Sequence, residues 1–217
     1  MKQKNIFITA LVLLALVFAG GAQWYRSQQA QEAAATAAKN RESLVRPHSP
    51  SLGRADARVH IVEFFDPACE TCAAFSPRVK QLMAAQRDDI RLTVRYAPFH
   101  QGSDEVVKAL EASRRQGRFW QALEALFAAQ PSWVQHHQAR PELIWPVLAR
   151  AGLDTTQLRA DMQAPEVARI VAQDLADAST LNVRKTPEFF VNGRPLPSFG
   201  WDQLQTLVDQ ELAATAK

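Results

Sequence analysis

The sequence predicts an α/β fold with an all-helical insertion, and three observations support this prediction. Residues 59–65 are rich in β-branched and aromatic side chains, which is typical of a buried strand, and apolar residues then recur at helical spacing from Cys72 to Gln86. Residues 90–96 alternate apolar and polar side chains, so a second strand and a right-handed βαβ unit are expected. From residue 103 to about residue 181 the apolar spacing is helical.

The composition is that of a soluble globular protein with room for one domain and an N-terminal appendage. The chain has 217 residues, of which 47% are hydrophobic and 22% are charged. These proportions exclude a disordered chain and a multispanning membrane protein. The net charge of +3 is small and the basic residues are scattered, so we expect no nucleic-acid partner.

The N-terminus has the layout of an export signal. Lysines precede an apolar run at residues 6–19, and small residues follow it, so we predict a signal peptide or an N-terminal membrane anchor over residues 1–22. Trp24 and Tyr25 lie where interfacial aromatic side chains would hold an uncleaved helix, which favours the anchor. The protein is therefore expected outside the cytoplasm.

The rest of the chain divides into a spacer and a folded domain. Residues 23–52 are dominated by Ala, Gln, Ser and charged side chains, which is typical of a polar spacer. The folded domain is predicted over residues 53–217. After the helical insertion, residues 188–191 predict a strand, residues 192–193 a tight hairpin turn, and residues 201–213 a closing helix.

The only two cysteines, Cys69 and Cys72, form a C-x-x-C pair at the start of the first predicted helix. A loop this short gains little stability from a structural disulfide, so the spacing suits reversible chemistry or metal ligation. Unpaired N–H groups at a helix start favour the thiolate of Cys69, whereas Cys72 lies one turn inside the helix and is more shielded. We predict Cys69 as the attacking sulfur and Cys72 as the resolving sulfur.

Metal binding is the alternative interpretation of the two cysteines. The chain has no second C-x-x-C motif, and its histidines lack the spacing of a zinc site, so we expect no structural metal. The pair His136 and His137 is interpreted as exposed loop polarity. Binding or delivery of a soft metal ion such as Cu(I) by the two thiolates remains open as an alternative function.

Two segments and the insertion between them resemble a known family. Residues 53–72 read GRADARVHIVEFFDPACETC, and residues 183–193 read VRKTPEFFVNG. The first resembles the entry strand and active site of the DsbA-like periplasmic thiol:disulfide oxidoreductases, and the second resembles their cis-proline loop and hairpin. The resemblance implies a thioredoxin-like fold with an all-helical insertion and the activity of a protein thiol:disulfide oxidoreductase.

The resemblance also implies three further site residues. Thr186 and Pro187 are expected to form a cis peptide facing the cysteines, where the Thr186 backbone pairs with a bound peptide as an added strand. The alternative is a trans proline at the start of an edge strand. Glu63 is expected to be buried with a raised pKa and to relay protons, as the matching glutamate of the family does. The alternative is that Glu63 pairs with a lysine or reaches solvent.

The partners and location follow from the same resemblance. We expect a periplasmic protein that acts on cysteine-containing exported proteins and exchanges electrons with a redox partner protein bound to the membrane. The chain would itself be held at the inner membrane if its N-terminal segment is uncleaved. No cofactor is expected.

The chain departs from the strongly oxidising family members at Thr71, where those members have a histidine that stabilises the thiolate. Glu70 and Asp66 add negative charge nearby. Because like charge disfavours a thiolate, we expect the pKa of Cys69 to be less depressed, and the couple less oxidising, than in those members. Oxidase, isomerase and reductase directions all remain open.

Overall fold

The structure is a computed structural model that describes residues 2–86 and 88–215. The chain divides into two compact units, of which the first ends at Lys39 and the second begins at Asn40. The second unit contains the cysteines, the strands and the helical insertion.

A five-stranded mixed sheet lies at the centre of the second unit. The strands of the second unit, which include a separate hairpin, are β1 (Ser51–Leu52), β2 (Val59–Phe65), β3 (Ile90–Tyr96), β4 (Val134–Gln135), β5 (Gln138–Ala139), β6 (Glu188–Val191) and β7 (Arg194–Pro195). The sheet has the order β1-β3-β2-β6-β7, while β4 and β5 form a separate hairpin. Strands β2 and β3 are parallel, and β6 is antiparallel to β2. Asn192 and Gly193 have positive φ angles and close the predicted turn between β6 and β7.

Helices connect the strands and form the insertion. They are α1 (Lys2–Leu44), α2 (Glu70–Ala85), α3 (Ser103–Ser113), α4 (Phe119–Ala128), α5 (Trp145–Arg150), α6 (Thr155–Asp161), α7 (Pro165–Thr180) and α8 (Trp201–Ala214). Helix α2 joins β2 to β3, which confirms the βαβ unit, and α8 confirms the closing helix. Helices α3 to α7 confirm the helical insertion predicted over residues 103–181.

The insertion contains one element that the sequence prediction missed, the hairpin of β4 and β5. Its turn consists of His136 and His137, which both have positive φ angles. Such turns are usually recognised from Asn and Gly, which adopt positive φ most easily, so a pair of histidines gave no sequence signal. The insertion is therefore helical apart from this hairpin.

Helix α1 covers most of the two segments predicted at the N-terminus. The polar spacer predicted over residues 23–52 is helical as far as Leu44, because alanine and glutamine favour helix, and the helix ends before Pro47. A signal peptide or membrane anchor was expected over residues 1–22. In the part of the chain that the structure describes, none of the helices has the length and apolar character needed to span a membrane, and the anchor remains a prediction without structural support.

The second unit begins at Asn40 rather than at the predicted Gly53. Leu44 is buried and packs in the same core cluster as Phe64, and β1 pairs with β3. No sequence signal indicated this earlier start, because one buried leucine and a two-residue strand lie within a stretch of polar residues.

The alternation of side chains along β2 separates two core regions. Ile61 and Phe65 belong to the larger core, which also contains Cys72, while Phe64 belongs to the smaller one. Glu63 lies two residues from both Ile61 and Phe65, so its side chain is on the same face of the sheet as theirs. Its carboxyl group therefore lies on the face of the sheet that packs against the cysteines.

A buried ion network joins β3 to α7. The guanidinium group of Arg95 donates hydrogen bonds to Asp174 at 2.7 Å and to Asp177 at 2.6 Å. Asp174 also accepts the backbone N–H of Tyr96 at 2.8 Å, and Arg46 donates to Asp177 at 2.7 Å. Because buried charges destabilise a fold unless they are paired, this network holds the segment after α1 in one position against α7.

Candidate active site

Cys69 lies in the connection from β2 to α2, as predicted. It is the N-cap residue of α2, and its Sγ accepts a hydrogen bond from the backbone N–H of Cys72 at 3.4 Å. This N–H belongs to the first turn of the helix, where N–H groups have no partner within the helix. The fold therefore places the Cys69 sulfur where a negative charge is stabilised.

The two thiols have opposite acid–base properties. Hydrogen bonds from the side chain of Cys72 and from the backbone N–H groups of Cys72 and Thr71 lower the pKa of Cys69 to about 6, although partial burial opposes this shift. Cys72 is fully buried, and desolvation raises the pKa of its thiol well above the ordinary value. At neutral pH Cys69 is therefore a thiolate and Cys72 a thiol; their roles as attacking and resolving sulfur remain predictions.

The peptide bond between Thr186 and Pro187 is cis, which confirms that prediction. The loop that contains it faces Cys69, whose Sγ lies 3.2 Å from the carbonyl oxygen of Thr186 and donates to it only when Cys69 is protonated. Strand β6 follows directly and pairs with β2. The structure thus brings Thr186 and Pro187 to the redox pair across a long stretch of chain.

Glu63 lies beneath the redox pair, on the buried face of β2. Its side chain is almost completely buried, with 4% exposure. Burial, together with the negative charge of Cys69, raises the pKa of its carboxyl group to about 8. Burial and the raised pKa are as predicted, and the carboxyl group is protonated at neutral pH. Its role as a proton relay remains a prediction.

Asp66 has a role other than the source of like charge that was expected. Its buried carboxylate accepts hydrogen bonds from the backbone N–H groups of Ala68 at 2.8 Å, Phe99 at 2.7 Å and His100 at 2.8 Å. The His100 ring and the Ser103 hydroxyl also bond to it. These donors compensate the negative charge, so Asp66 acts by holding the loop before Cys69 against the chain that follows β3. No local sequence pattern indicates this positioning role.

The neighbouring carboxylates therefore do not control Cys69 as expected. Glu70 is half exposed to solvent, which screens its charge, and it lies 3.1 Å from His137. Hydrogen bonds at the start of α2 dominate instead. The expectation that the couple is less oxidising than in the strongly oxidising members stays a prediction.

One group of possible metal ligands lies beside the redox pair. Among the residues that the structure describes, Glu70, His100 and His137 bring one ligand atom each to within 4.8 Å of one another. Their sequence spacing gave no indication of this cluster. The cysteines themselves are both in the reduced state.

Comparison with known proteins identifies the family. The family described as thioredoxin matches residues 45–210, which is most of the chain. The Na(+)/H(+) antiporter NhaA of Herminiimonas arsenicoxydans is 35% identical over 144 residues. The match covers 66% of this chain but only 22% of that protein, so the present chain spans less than a quarter of this relative's length.

Two solved structures are similar in both fold and sequence. A thioredoxin-like oxidoreductase from Silicibacter pomeroyi has a TM-score of 0.70 and 35% identity, and the match covers 82% of this chain and 99% of that one. Oxidised BdbD from Bacillus subtilis has a TM-score of 0.67 and 25% identity, with 76% and 94% coverage. The thioredoxin-like fold predicted from the sequence is confirmed.

The pH dependence of alkylation tests the asymmetry of the two thiols. Because only the thiolate reacts and the pKa of Cys69 is about 6, we expect the iodoacetamide rate to rise about tenfold per pH unit below pH 6 and to level off above it. In Cys72→Ala the largest stabilising hydrogen bond is lost, so the midpoint should move to higher pH. Mass spectrometry assigns the modified residue. A native midpoint at the ordinary ~8.5 would contradict this account.

The stability of Glu63→Gln tests the burial of the carboxyl group. An unfolded glutamate ionises near pH 4.5, whereas folded Glu63 stays protonated up to about pH 8, so ionisation favours the unfolded state as pH rises between these values. We expect wild-type stability, measured against Glu63→Gln in urea, to fall by on the order of 4 kcal/mol from pH 4 to pH 9. If the free energy of unfolding changed with pH in the same way for the two reduced proteins, Glu63 would be solvated.

Proposed function

The chain belongs to the thioredoxin family, and on this premise we propose that it is a DsbA-like thiol:disulfide oxidoreductase that exchanges disulfides with exported proteins through Cys69 and Cys72. The observation that carries the proposal is the contrast between the two thiols. A stabilised thiolate at a helix start and a buried thiol one turn further on supply an attacking group and a resolving group.

The exchange consists of two successive substitutions at sulfur. The Cys69 thiolate attacks one sulfur of a partner disulfide, the partner S–S bond breaks, and a mixed disulfide and one partner thiolate result. Cys72 then loses its proton and attacks the Cys69 sulfur, which releases the second partner thiolate and forms the Cys69–Cys72 disulfide. The partner gains two electrons and the enzyme loses them. Each step is reversible, so the same residues oxidise a dithiol partner in the opposite direction.

Glu63 fits the role of proton acceptor for Cys72 in the second step. The Cys72 thiol is fully buried, so solvent has no direct access to its proton. The pKa of Glu63 is raised to about 8, and its charge also raises the pKa of Cys72, so the two groups interact electrostatically. Formation of the mixed disulfide removes the Cys69 charge that disfavours the carboxylate. Loss of this repulsion lowers the pKa of Glu63, so a larger fraction of the enzyme holds Glu63 as the carboxylate, the form that can accept the proton of Cys72.

The surface around the cis-proline loop fits an extended protein segment. The Thr186 carbonyl already serves as a hydrogen-bond acceptor beside Cys69, and it would accept from the backbone of a bound segment as a neighbouring strand does. Phe199 is 42% exposed and packs against Phe75 with ring centroids 5.3 Å apart. The Lys185 ammonium group lies 5.5 Å from the same ring. Together these side chains offer an apolar and cationic contact for a partner protein.

The cellular setting is part of the proposal. An apolar run near the N-terminus and a C-x-x-C pair in the folded domain suit a protein that works in the periplasm, with cysteine-containing exported proteins as substrates. A membrane-bound redox partner would reset the cysteine pair after each cycle. Retention of the N-terminal segment would hold the enzyme at the inner membrane.

Covalent trapping tests the exchange reaction. In Cys72→Ala the first substitution proceeds but the second cannot, so Cys69 should accumulate mixed disulfides with exported proteins. Non-reducing electrophoresis and mass spectrometry of the exported fraction reveal these species, which a reducing agent should release. The matched control, Cys69→Ala with Cys72→Ala, should trap nothing. An accessible Cys69 that collects no partner would refute the proposed activity.

The equilibrium with glutathione tests how oxidising the couple is. We expect the pKa of Cys69 to be less depressed than in the most oxidising relatives, which would make its thiolate a poorer leaving group and the disulfide form relatively more stable. We expect a reduction potential more negative than the ~−120 mV of the strongest oxidant. Titration in glutathione buffers, read by alkylation and mass, gives the value. A potential at or above that limit would be incompatible with the hydrogen-bonding pattern of Cys69.

A further inference from the structure

Glu70, His100 and His137 come from three different parts of the chain and meet beside Cys69. Glu70 is the first residue of α2, His100 lies in the segment after β3, and His137 lies in the turn between β4 and β5. One ligand atom of each lies within 4.8 Å of the others, and Oε1 of Glu70 is 3.1 Å from Nδ1 of His137. The disulfide exchange described above uses none of these three side chains.

The orientation of His100 is determined by Asp66. Nδ1 of the ring lies 2.8 Å from Oδ2 of Asp66, which is completely buried. A carboxylate that accepts the Nδ1–H of a histidine fixes the tautomer and leaves Nε2 with a free lone pair. This carboxylate–imidazole arrangement is the one that supports metal-bound histidines in proteins.

The position of His137 is determined by the attachment of its hairpin. The backbone N–H of Ala139 donates to the carbonyl oxygen of Gln101 at 2.9 Å, directly after His100. Gly102 lies so close that an added Cβ would be 2.7 Å from the carbonyl oxygen of Ala139. The hairpin is therefore fastened to the same segment that carries His100.

We propose that Glu70, His100 and His137 form a binding site for a divalent transition-metal ion of the zinc type. Two imidazoles and one carboxylate are a common protein ligand set for Zn²⁺, and they leave a fourth position open. Ligand atoms around tetrahedral zinc lie about 3.4 Å apart, so small side-chain rotations complete the site from the present separations. His100 adds a third ligand atom beside the pair formed by Glu70 and His137, and a buried carboxylate holds its ring.

The site is distinct from metal binding by the cysteines. Nitrogen and oxygen donors suit Zn²⁺, whereas a pair of thiolates suits Cu(I). The proposed site therefore needs neither thiol, and it does not depend on the disulfide-exchange activity.

Zinc binding by the full chain with Cys69→Ser and Cys72→Ser tests the proposal, because serines remove thiolate ligation. Competition with a chromogenic zinc chelator at pH 7.5 should give one bound equivalent. In this background His137→Asn should weaken binding by at least about tenfold, as should Glu70→Gln and His100→Ala.

His136→Asn is the matched control, since asparagine tolerates the same positive φ in the same turn and removes a histidine outside the cluster.

The possible outcomes separate a metal site from a simple surface cluster. Loss of affinity in His137→Asn with unchanged affinity in His136→Asn supports the site. Absence of zinc binding in the serine background overturns the proposal, and so does equal affinity in His137→Asn. Equal losses in both asparagine variants also overturn it, because the effect would then come from the hairpin rather than from a ligand. His137 is exposed, so its substitution leaves the buried core intact.

Discussion

The buried carboxylate of Asp66 accepts hydrogen bonds from three segments that meet at the carboxyl end of β2. It holds Ala68 in the loop before Cys69, the chain after β3 at Phe99 and His100, and the start of α3 at Ser103. A buried carboxylate is tolerated only when its charge is compensated, so these segments have to converge on it. The position of the attacking sulfur, the start of the insertion and the orientation of His100 all depend on this one group.

Burial then divides the chemistry among the remaining site residues. Cys69 accepts N–H donors at the helix start and is held as a thiolate, whereas Cys72 and Glu63 lie where water is excluded and retain their protons. The three groups span a short distance yet differ in charge because their solvation and hydrogen bonding differ. The resulting order of acidity provides one nucleophilic thiolate, one buried thiol and one buried protonated carboxyl group.

Sequence patterns predicted the elements whose information is local. The apolar run of β2, the C-x-x-C pair, the Asn192–Gly193 turn and the closing helix each had a period or a turn residue that identifies them. The start of the unit at Asn40 and the hairpin at His136 and His137 were missed, because polar or atypical residues form them. The cis form of Thr186–Pro187 came from family resemblance, since a proline alone does not specify its isomer.

The sequence by itself determined the α/β architecture, the redox pair, and the helix start that makes Cys69 acidic. Only the tertiary structure decided which side chains surround that pair. Asp66 changed from an expected source of like charge to a compensated anchor for its neighbours, and Glu70, His100 and His137 became a cluster despite their separation along the chain. The physical reason is that strand and helix periods are encoded by adjacent residues, whereas pairing of buried charges and convergence of ligands depend on how distant segments pack.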